Sequence, residues 1–386
     1  MRRRNRASVE HRFGLPAKCD QPPVHGVRWG AVRSVLQRSS ARVALAAILA
    51  GLSLCSEAAA TTPGSVPLMT YIKGLVTNTP QVWVSSVDGS SPMALGPASS
   101  ALLSPDGSEV AAVSIEKAQA VKKSTLSLYA TNGATSSTVS SSVQFMQLLA
   151  WSADSKLILV TVGASPAQLD VINAATNQIH TIATGVIDGA SFSPGSSDQV
   201  VYARATPSTT RVDLYVTSAS GTNTRQLTKD GRSEYPLWGP NGIVYSHEYI
   251  RPKDPYPELQ LWFIKANGAG ARQLTHIPVG PQLEGLTPIS FSANGKHLLA
   301  NFVGQDPQDH TEAYTIDLTG PKPLWRDLTG EGNGNIGDAI SADGKTILLT
   351  KGMTANLAPL SIETVPWSGG KPTTIVTQGA YASWNR

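Results

Sequence analysis

The chain has 386 residues, 41% of them hydrophobic and only 15% charged, with 34 Gly and 26 Pro. That balance excludes a disordered chain and describes one large or two ordinary globular domains rich in turns. The formal charge of +4 suggests anionic partners, but residues 1–60 hold 10 of the 31 Lys/Arg and 3 of the 27 Asp/Glu, leaving 21 basic and 24 acidic side chains for the rest. The excess charge belongs to the leader, and the body has no basic stripe with interleaved aromatics, so nucleic acid is not an expected partner.

"RVALAAILAGLSLCSEAAATT" begins at Arg42, runs apolar from Val43 to Leu54 and ends in Ala58-Ala59-Ala60. A positive region, a short apolar core and small terminal residues predict a secretory signal over 1–60, cleaved after Ala60. The apolar run is shorter than the about 20 residues of a membrane-spanning helix. A periplasmic or secreted bacterial protein is therefore expected, with 61–386 as its single domain. Cys19 and Cys55, the only two cysteines, both lie in the leader, so the mature body has no disulfide and no reactive thiolate. "LSLC", ending at Cys55, resembles a lipoprotein box with Leu54 where a small residue is usual. Membrane contact is expected only if Cys55 is lipidated.

The body opens with "PLMTYIKG" from Pro67 and "QVWVSSVDG" from Gln81, which read as the second and third strands of a unit without a first. A repeat follows: "LLSPDGSEVAAVS", "AWSADSKLILVTV", "SFSPGSSDQVVYA", "LWGPNGIVYS", "SFSANGKHLLANF", "AISADGKTILLTK" and a truncated "ASWNR". Its anchors, Ser104, Ser152, Ser193, Gly239, Ser292, Ser341 and Asn385, are spaced 48, 41, 46, 53, 49 and 44 residues apart. That period suits a four-stranded propeller blade.

Within each unit an apolar strand ends at the anchor. A tight turn follows, where Asp, Asn and Gly tolerate positive φ, and then a β-branched second strand. A third, alternating strand ends in a Gly turn, as in "DLYVTSASG" from Asp213, "QLWFIKANG" from Gln260 and "AYTIDLTG" from Ala313. The fourth is short and polar: "TRQLT" at 224–228, "ARQLT" at 271–275 and "WRDLT" at 325–329. No segment of the body has a sustained helical period, which predicts an all-β fold. Because the chain ends on a first strand and begins on a second, its termini complete one sheet between them. The prediction is a seven-bladed β-propeller whose last blade is shared between N- and C-terminal strands.

Ser104-Pro105-Asp106-Gly107 and Arg225-Gln226-Leu227-Thr228, with "ARQLT" repeating the second motif, resemble the TolB-like, WD40-like (PD40) β-propeller repeat family over essentially all of 67–386. The resemblance implies a fold rather than an activity. Between Ala60 and the first strand there is no room for the α/β domain that precedes the propeller of TolB.

The recurring Asp106, Asp154, Asn241, Asn294 and Asp343 read as turn formers that accept bonds from their own amides. Trp151, Phe192, Trp238, Phe291 and Trp384 read as contacts between blades. Candidate binding residues lie on the opposite rim, where longer loops sit on a rigid scaffold. They are Glu234, Tyr235, His247, Glu248, Tyr249, Arg251, Asp254, Tyr256, Glu258, His276, Asp309, His310 and Asp338. Prolines 252, 255 and 257 stiffen the longest insertion and lower its ordering cost.

A metal held by His247, His276 and His310 lacks the close ligand spacing of known motifs, so neither metal nor cofactor is expected. The body has no Gly-x-Ser-x-Gly elbow and no phosphate-cradling Gly-rich loop, so no catalytic residue is assigned. The reading is an exported, monomeric, non-catalytic scaffold for an envelope or extracellular protein or a glycan. The alternative is a stand-alone propeller enzyme, a polysaccharide lyase or hydrolase, with its site on the same rim.

Overall fold

Alternating apolar residues between Gly, Asn and Asp turns produce strands throughout, and no helix occurs among the described residues. The computed structural model describes residues 67–385 except 78, 119–120, 206–210, 250–257, 278–282, 305–310, 331–333 and 353–358. The predicted leader, with both cysteines, lies outside the described residues, as do Arg251, Asp254, Tyr256, Asp309 and His310.

The body opens with β1 (Leu68–Lys73), β2 (Gln81–Ser86) and β3 (Met93–Pro97). A four-stranded sheet follows in chain order: β4 (Ser100–Leu103), β5 (Glu109–Ala118), β6 (Val121–Ala130) and β7 (Ser136–Ser142). Next come β8 (Met146–Trp151), β9 (Leu157–Val162), β10 (Ala167–Asn173), β11 (Ile179–Phe192), β12 (Gln199–Ala205), β13 (Val212–Ser218) and β14 (Arg225–Gln226), in one seven-stranded sheet. β11 serves two units, its first half paired with β10 and its second with β12.

β15 (Ser233–Gly239), β16 (Gly242–Tyr249), β17 (Glu258–Ile264) and β18 (Arg272–Gln273) form the next unit. A single parallel pairing, Leu259 with Gly285, joins it to β19 (Leu283–Phe291), β20 (His297–Gly304), β21 (Thr311–Asp317) and β22 (Leu324–Asp327). β23 (Ile336–Ile340), β24 (Thr346–Lys351), β25 (Ser361–Pro366) and β26 (Thr373–Thr377) make another four-stranded sheet. Finally β27 (Gly379–Trp384) pairs antiparallel with β1, Met69 opposite Trp384, to give the order β27-β1-β2-β3. The predicted sharing of a sheet between the two ends of the body is observed.

The repeated motifs have direct structural causes. In four turns the anchor hydroxyl donates to the Asp or Asn two residues on: Ser104 to Asp106 at 2.6 Å, Ser152 to Asp154 at 2.7 Å, Ser292 to Asn294 at 2.9 Å and Ser341 to Asp343 at 2.6 Å. The same hydroxyls accept the amide that starts the next strand, from Glu109, Leu157, His297 and Thr346. Asp343 is held below the usual carboxylate range, chiefly by the Ser341 hydroxyl. These carboxylates are turn formers, as the sequence suggests.

The fourth strands are shorter than predicted, because the Leu-Thr pair closes the ladder differently. Leu227, Leu274 and Leu328 donate their amides to Leu214, Leu261 and Ala313. The following threonine then caps the same residue's amide with its side chain: Leu214 to Thr228 at 2.9 Å, Leu261 to Thr275 at 2.9 Å and Ala313 to Thr329 at 3.1 Å. A hydroxyl replaces a backbone carbonyl, and pairing stops there.

Trp151, Phe192, Trp238, Phe291 and Trp384 are all buried. Two of them donate indole N–H groups to a preceding unit, Trp151 to the Leu102 carbonyl at 3.1 Å and Trp384 to the Ile340 carbonyl at 3.2 Å. Register shifts interrupt the first strand of several units, between Leu148 and Ala150, Ile187 and Ala190, Glu234 and Leu237, Pro288 and Ser290, and Gly337 and Ala339. A bulge there breaks the in–out alternation and re-aims the next side chain.

Candidate functional site

β16 and β17 of the fourth repeat unit carry His247, Glu248, Tyr249 and Glu258. The register sets Ser233 opposite His247, and His247 opposite Gln260. Period-2 alternation puts Tyr245 and His247 on one face of β16. The imidazole packs at 4.6 Å from the Trp262 ring of β17 and edge-on to Tyr245 at 6.3 Å.

His247 Nε2 meets Asp230 Oδ2 at 2.8 Å, with the His side chain 13% exposed and the Asp side chain 49% exposed. Asp230 Oδ1 accepts the Arg232 amide and the Ser233 hydroxyl, both at 3.3 Å. The bond from His247 is the largest reason that Asp230 lies below the ordinary carboxylate range; burial opposes it. Burial raises the Tyr245 phenol, and the charge on Asp230 adds to the shift. Chemically, this is a carboxylate that orients an imidazole beside an aromatic wall.

The other predicted residues take separate positions. Glu234 is buried next to Tyr235, which adopts φ 49° and packs partly against the core. Gly189, at φ 96°, faces Tyr235 so closely that a Cβ would stand 3.2 Å from its Cα. Glu248 is half-buried, and its amide donates to the Arg232 carbonyl at 2.9 Å. Tyr249 is 51% exposed at the end of β16. Glu258 is buried opposite it, and His276 is exposed.

Asp338, expected among the binding residues, is wholly buried and presents no surface to a ligand. The bulge of β23 turns its carboxyl into the wall, where the Thr350 hydroxyl donates to Oδ2 at 2.7 Å. Among the described residues no three His, Cys, Asp or Glu side chains gather as a metal-binding group.

Sequence reasoning missed Asp230, Trp262 and Tyr245 as companions of His247, and Thr350 as the partner of Asp338. Tyr245 and His247 two apart on one strand, facing Trp262 on the next, were the available signal for the first group. Thr350 had none.

No protein-family model and no curated protein matches the chain. Solved structures do. The β-propeller domain of the trilobed protease from Pyrococcus furiosus is 13% identical, with TM-score 0.56 over 84% of this chain and 96% of that one. An oligogalacturonate lyase from Vibrio parahaemolyticus is 9% identical, with TM-score 0.56 over 78% and 87%. TolB from Acinetobacter baumannii is 15% identical, with TM-score 0.50 over 79% and 78%. At such identities the likeness concerns fold alone, and with the repeated strand units it supports that fold: the chain folds as a β-propeller.

Proposed function

We propose that this chain is an exported seven-bladed β-propeller, its last blade made of β27, β1, β2 and β3, that acts as a non-catalytic binding scaffold in a bacterial envelope or outside the cell. A ring of seven is supported by ties from each unit to the next. Trp151 to Leu102 joins the second to the first, and continuous β11 joins the second to the third. The Trp238 amide to Ser191 Oγ, the Ser246 hydroxyl to the Leu286 carbonyl and the Ile340 amide to Ser290 Oγ join the third to the fourth, the fourth to the fifth and the fifth to the sixth. Trp384 to Ile340 links the sixth to the last unit, and the Leu103 amide to Ser383 Oγ returns to the first. Export rests on the leader, and a mature N-terminus at Thr61 by mass spectrometry is its expected signature; a lipidated Cys55 would instead give a membrane-anchored form.

The observation that carries the scaffold reading is how the rim's ionisable side chains are used. Asp230 holds His247, while Glu234 and Glu258 are buried. What faces outward from β16 is the aromatic Tyr249, on a rigid frame. Such a surface suits an envelope protein or a glycan bound by a monomer through aromatic and polar contacts. A pull-down recovering one partner, lost when 249–257 is replaced by a short Gly-Ser link but kept in His247→Ala, is the expected result. Recovery indifferent to that replacement overturns the rim as the binding surface.

One observation favours a second reading, an enzyme acting on acidic oligosaccharides. Asp230 engages Nε2 of His247 and orients the imidazole as a carboxylate orients a general base, and an oligogalacturonate lyase shares the fold. Activity on oligouronides that falls at least about 100-fold in both His247→Ala and Asp230→Asn would replace the scaffold reading.

A further inference from the structure

Between β23 and β27 a carboxyl group lies wholly buried. Asp338 stands three residues before its anchor, Ser341. The same position before the other anchors holds Ala101, Leu149, Ala190, Pro236, Ile289 and Ala382, all buried. Thr350 Oγ1 donates to Asp338 Oδ2 at 2.7 Å and accepts the Tyr381 amide at 2.7 Å, so the carboxyl is connected across the joint to β27. Asp338 Oδ1 is buried and has no hydrogen-bond partner among the described residues. On the far side the bulge is fixed: the Gly337 amide donates to Asn301 Oδ1 at 2.8 Å, and Asn301 Nδ2 donates to the Gly337 carbonyl at 3.0 Å.

We propose that Asp338 is a proton-dependent latch on ring closure. Neutral, it seats β27 against β23 and β24; ionised, it draws water into the joint and releases β27. A wholly buried carboxylate is costly even with the Thr350 hydroxyl and the Ala382 amide directed at it, and a neutral carboxyl is much less so. The Ala382 amide and the Tyr381 phenol of β27 both feel the carboxyl, and both residues are buried, so a charge on Asp338 bears directly on the seat of β27.

Burial raises the Asp338 carboxyl to about 8, with the Thr350 hydroxyl and the Ala382 amide opposing the shift. Of the titratable groups on the strands packed against β23, the Tyr381 phenol of β27 feels its charge. Among the described side chains the others have partners of their own: Lys351 of β24 pairs with Glu363 at 3.5 Å, Glu312 of β21 accepts the Tyr314 hydroxyl at 3.1 Å, Asp317 of β21 accepts the Thr319 hydroxyl at 2.6 Å, and His297 of β20 meets the Gly344 carbonyl at 2.9 Å. In the open joint a hydrated carboxyl returns to about 4. The closed joint therefore holds a proton that the open one releases, and closure weakens as pH rises from about 4 until it levels above the folded value.

Hydrogen exchange of the full chain from pH 5 to 9.5, corrected for intrinsic rates, tests the latch. Protection of 379–384 and 346–351 is expected to fall up to about tenfold per pH unit below pH 8 and then level, while 199–205 stays flat. Asp338→Asn should hold the joint closed at every pH. A flat wild-type profile, the same slope in the Asn variant or an equal slope in 199–205 overturns the latch. Should the variant fold poorly, an infrared titration of the wild type decides: a protonated-carboxyl band must disappear with a midpoint near 8, and its absence at pH 6.5 refutes the proposal. The latch concerns closure alone, so its failure leaves the rim reading intact.

Discussion

Leu68 and Asn385, 317 positions apart, hold each other twice: the Leu68 amide donates to Asn385 Oδ1 at 2.6 Å, and the Asn385 amide donates to the Leu68 carbonyl at 3.2 Å. A side chain thus extends the β27–β1 ladder by one rung at the end of the body. Asn385→Ala leaves a partly buried amide unpaired, at an expected cost of about 1–2 kcal/mol. The urea midpoint should fall with the slope unchanged. Deleting 379–386 should do far more, because it bares the whole edge of β1 and invites strand pairing between molecules. A monomeric, soluble truncation by light scattering would falsify the seam as the element that protects the edge of β1.

Thr275 tests the Leu-Thr device. Its hydroxyl accepts the Leu261 amide at 2.9 Å and donates to Gln260 Oε1 at 2.9 Å, all within the interior. Thr275→Val keeps the shape and orphans a buried amide, so about 1–3 kcal/mol of stability should be lost. Thr275→Ser keeps the hydroxyl and should cost less than half as much. Equal losses in the two variants would mean that the methyl group, not the hydrogen bond, fixes this residue.

Those two devices also mark what the sequence made legible. The Ser-x-Asp turn and the Leu-Thr cap are local, each written within a few residues, so their repetition exposes the blade and its period. The shared sheet was legible because a first strand at one end met a second strand at the other. The rim was harder to read. Asp230 and His247 meet across 17 positions, in a link and a strand that nothing in the sequence pairs. Asp338 misleads for a different reason: in "IGDAI" simple alternation carries its side chain one way, and the bulge between Gly337 and Ala339 carries it another. Bulges change facing without changing composition, and buried acids at them look like surface acids in sequence.

Two glycines with nearly the same backbone separate conformational cost from crowding. Gly107 has φ 73° and a Cβ there would stand 2.6 Å from Asn385 Nδ2; Gly195 has φ 72° with nothing within 4 Å. Gly195→Ala should cost about 1 kcal/mol, the penalty for a side chain in the left-handed region. Gly107→Ala adds a clash at the closing seam and should cost about 1 kcal/mol more. Thermal unfolding of both checks the difference. It should vanish in an Asn385→Gly background, where the clash has no partner.

The Asp230–His247 contact carries a pH signature opposite in sign to that of the buried acid. Asp230 is depressed, first by the bond from His247, against the opposing effect of burial. Its folded form therefore contributes stability that is present above the ordinary carboxylate value of about 4 and fades as pH falls through the lower folded value. With Asp230 half exposed, a double-mutant cycle of Asp230→Asn and His247→Ala at pH 6 should give a coupling of about 0.5–1 kcal/mol, not several. The coupling should shrink on acidification to about pH 3, as the carboxylate's contribution fades, and shrink again in high salt. A coupling unchanged from pH 6 to pH 3 would mean that Trp262 packing holds the imidazole and that the carboxylate only accompanies it. In that case His247 loses the oriented tautomer on which any proton-exchange role depends, and the rim is left as a binding surface alone.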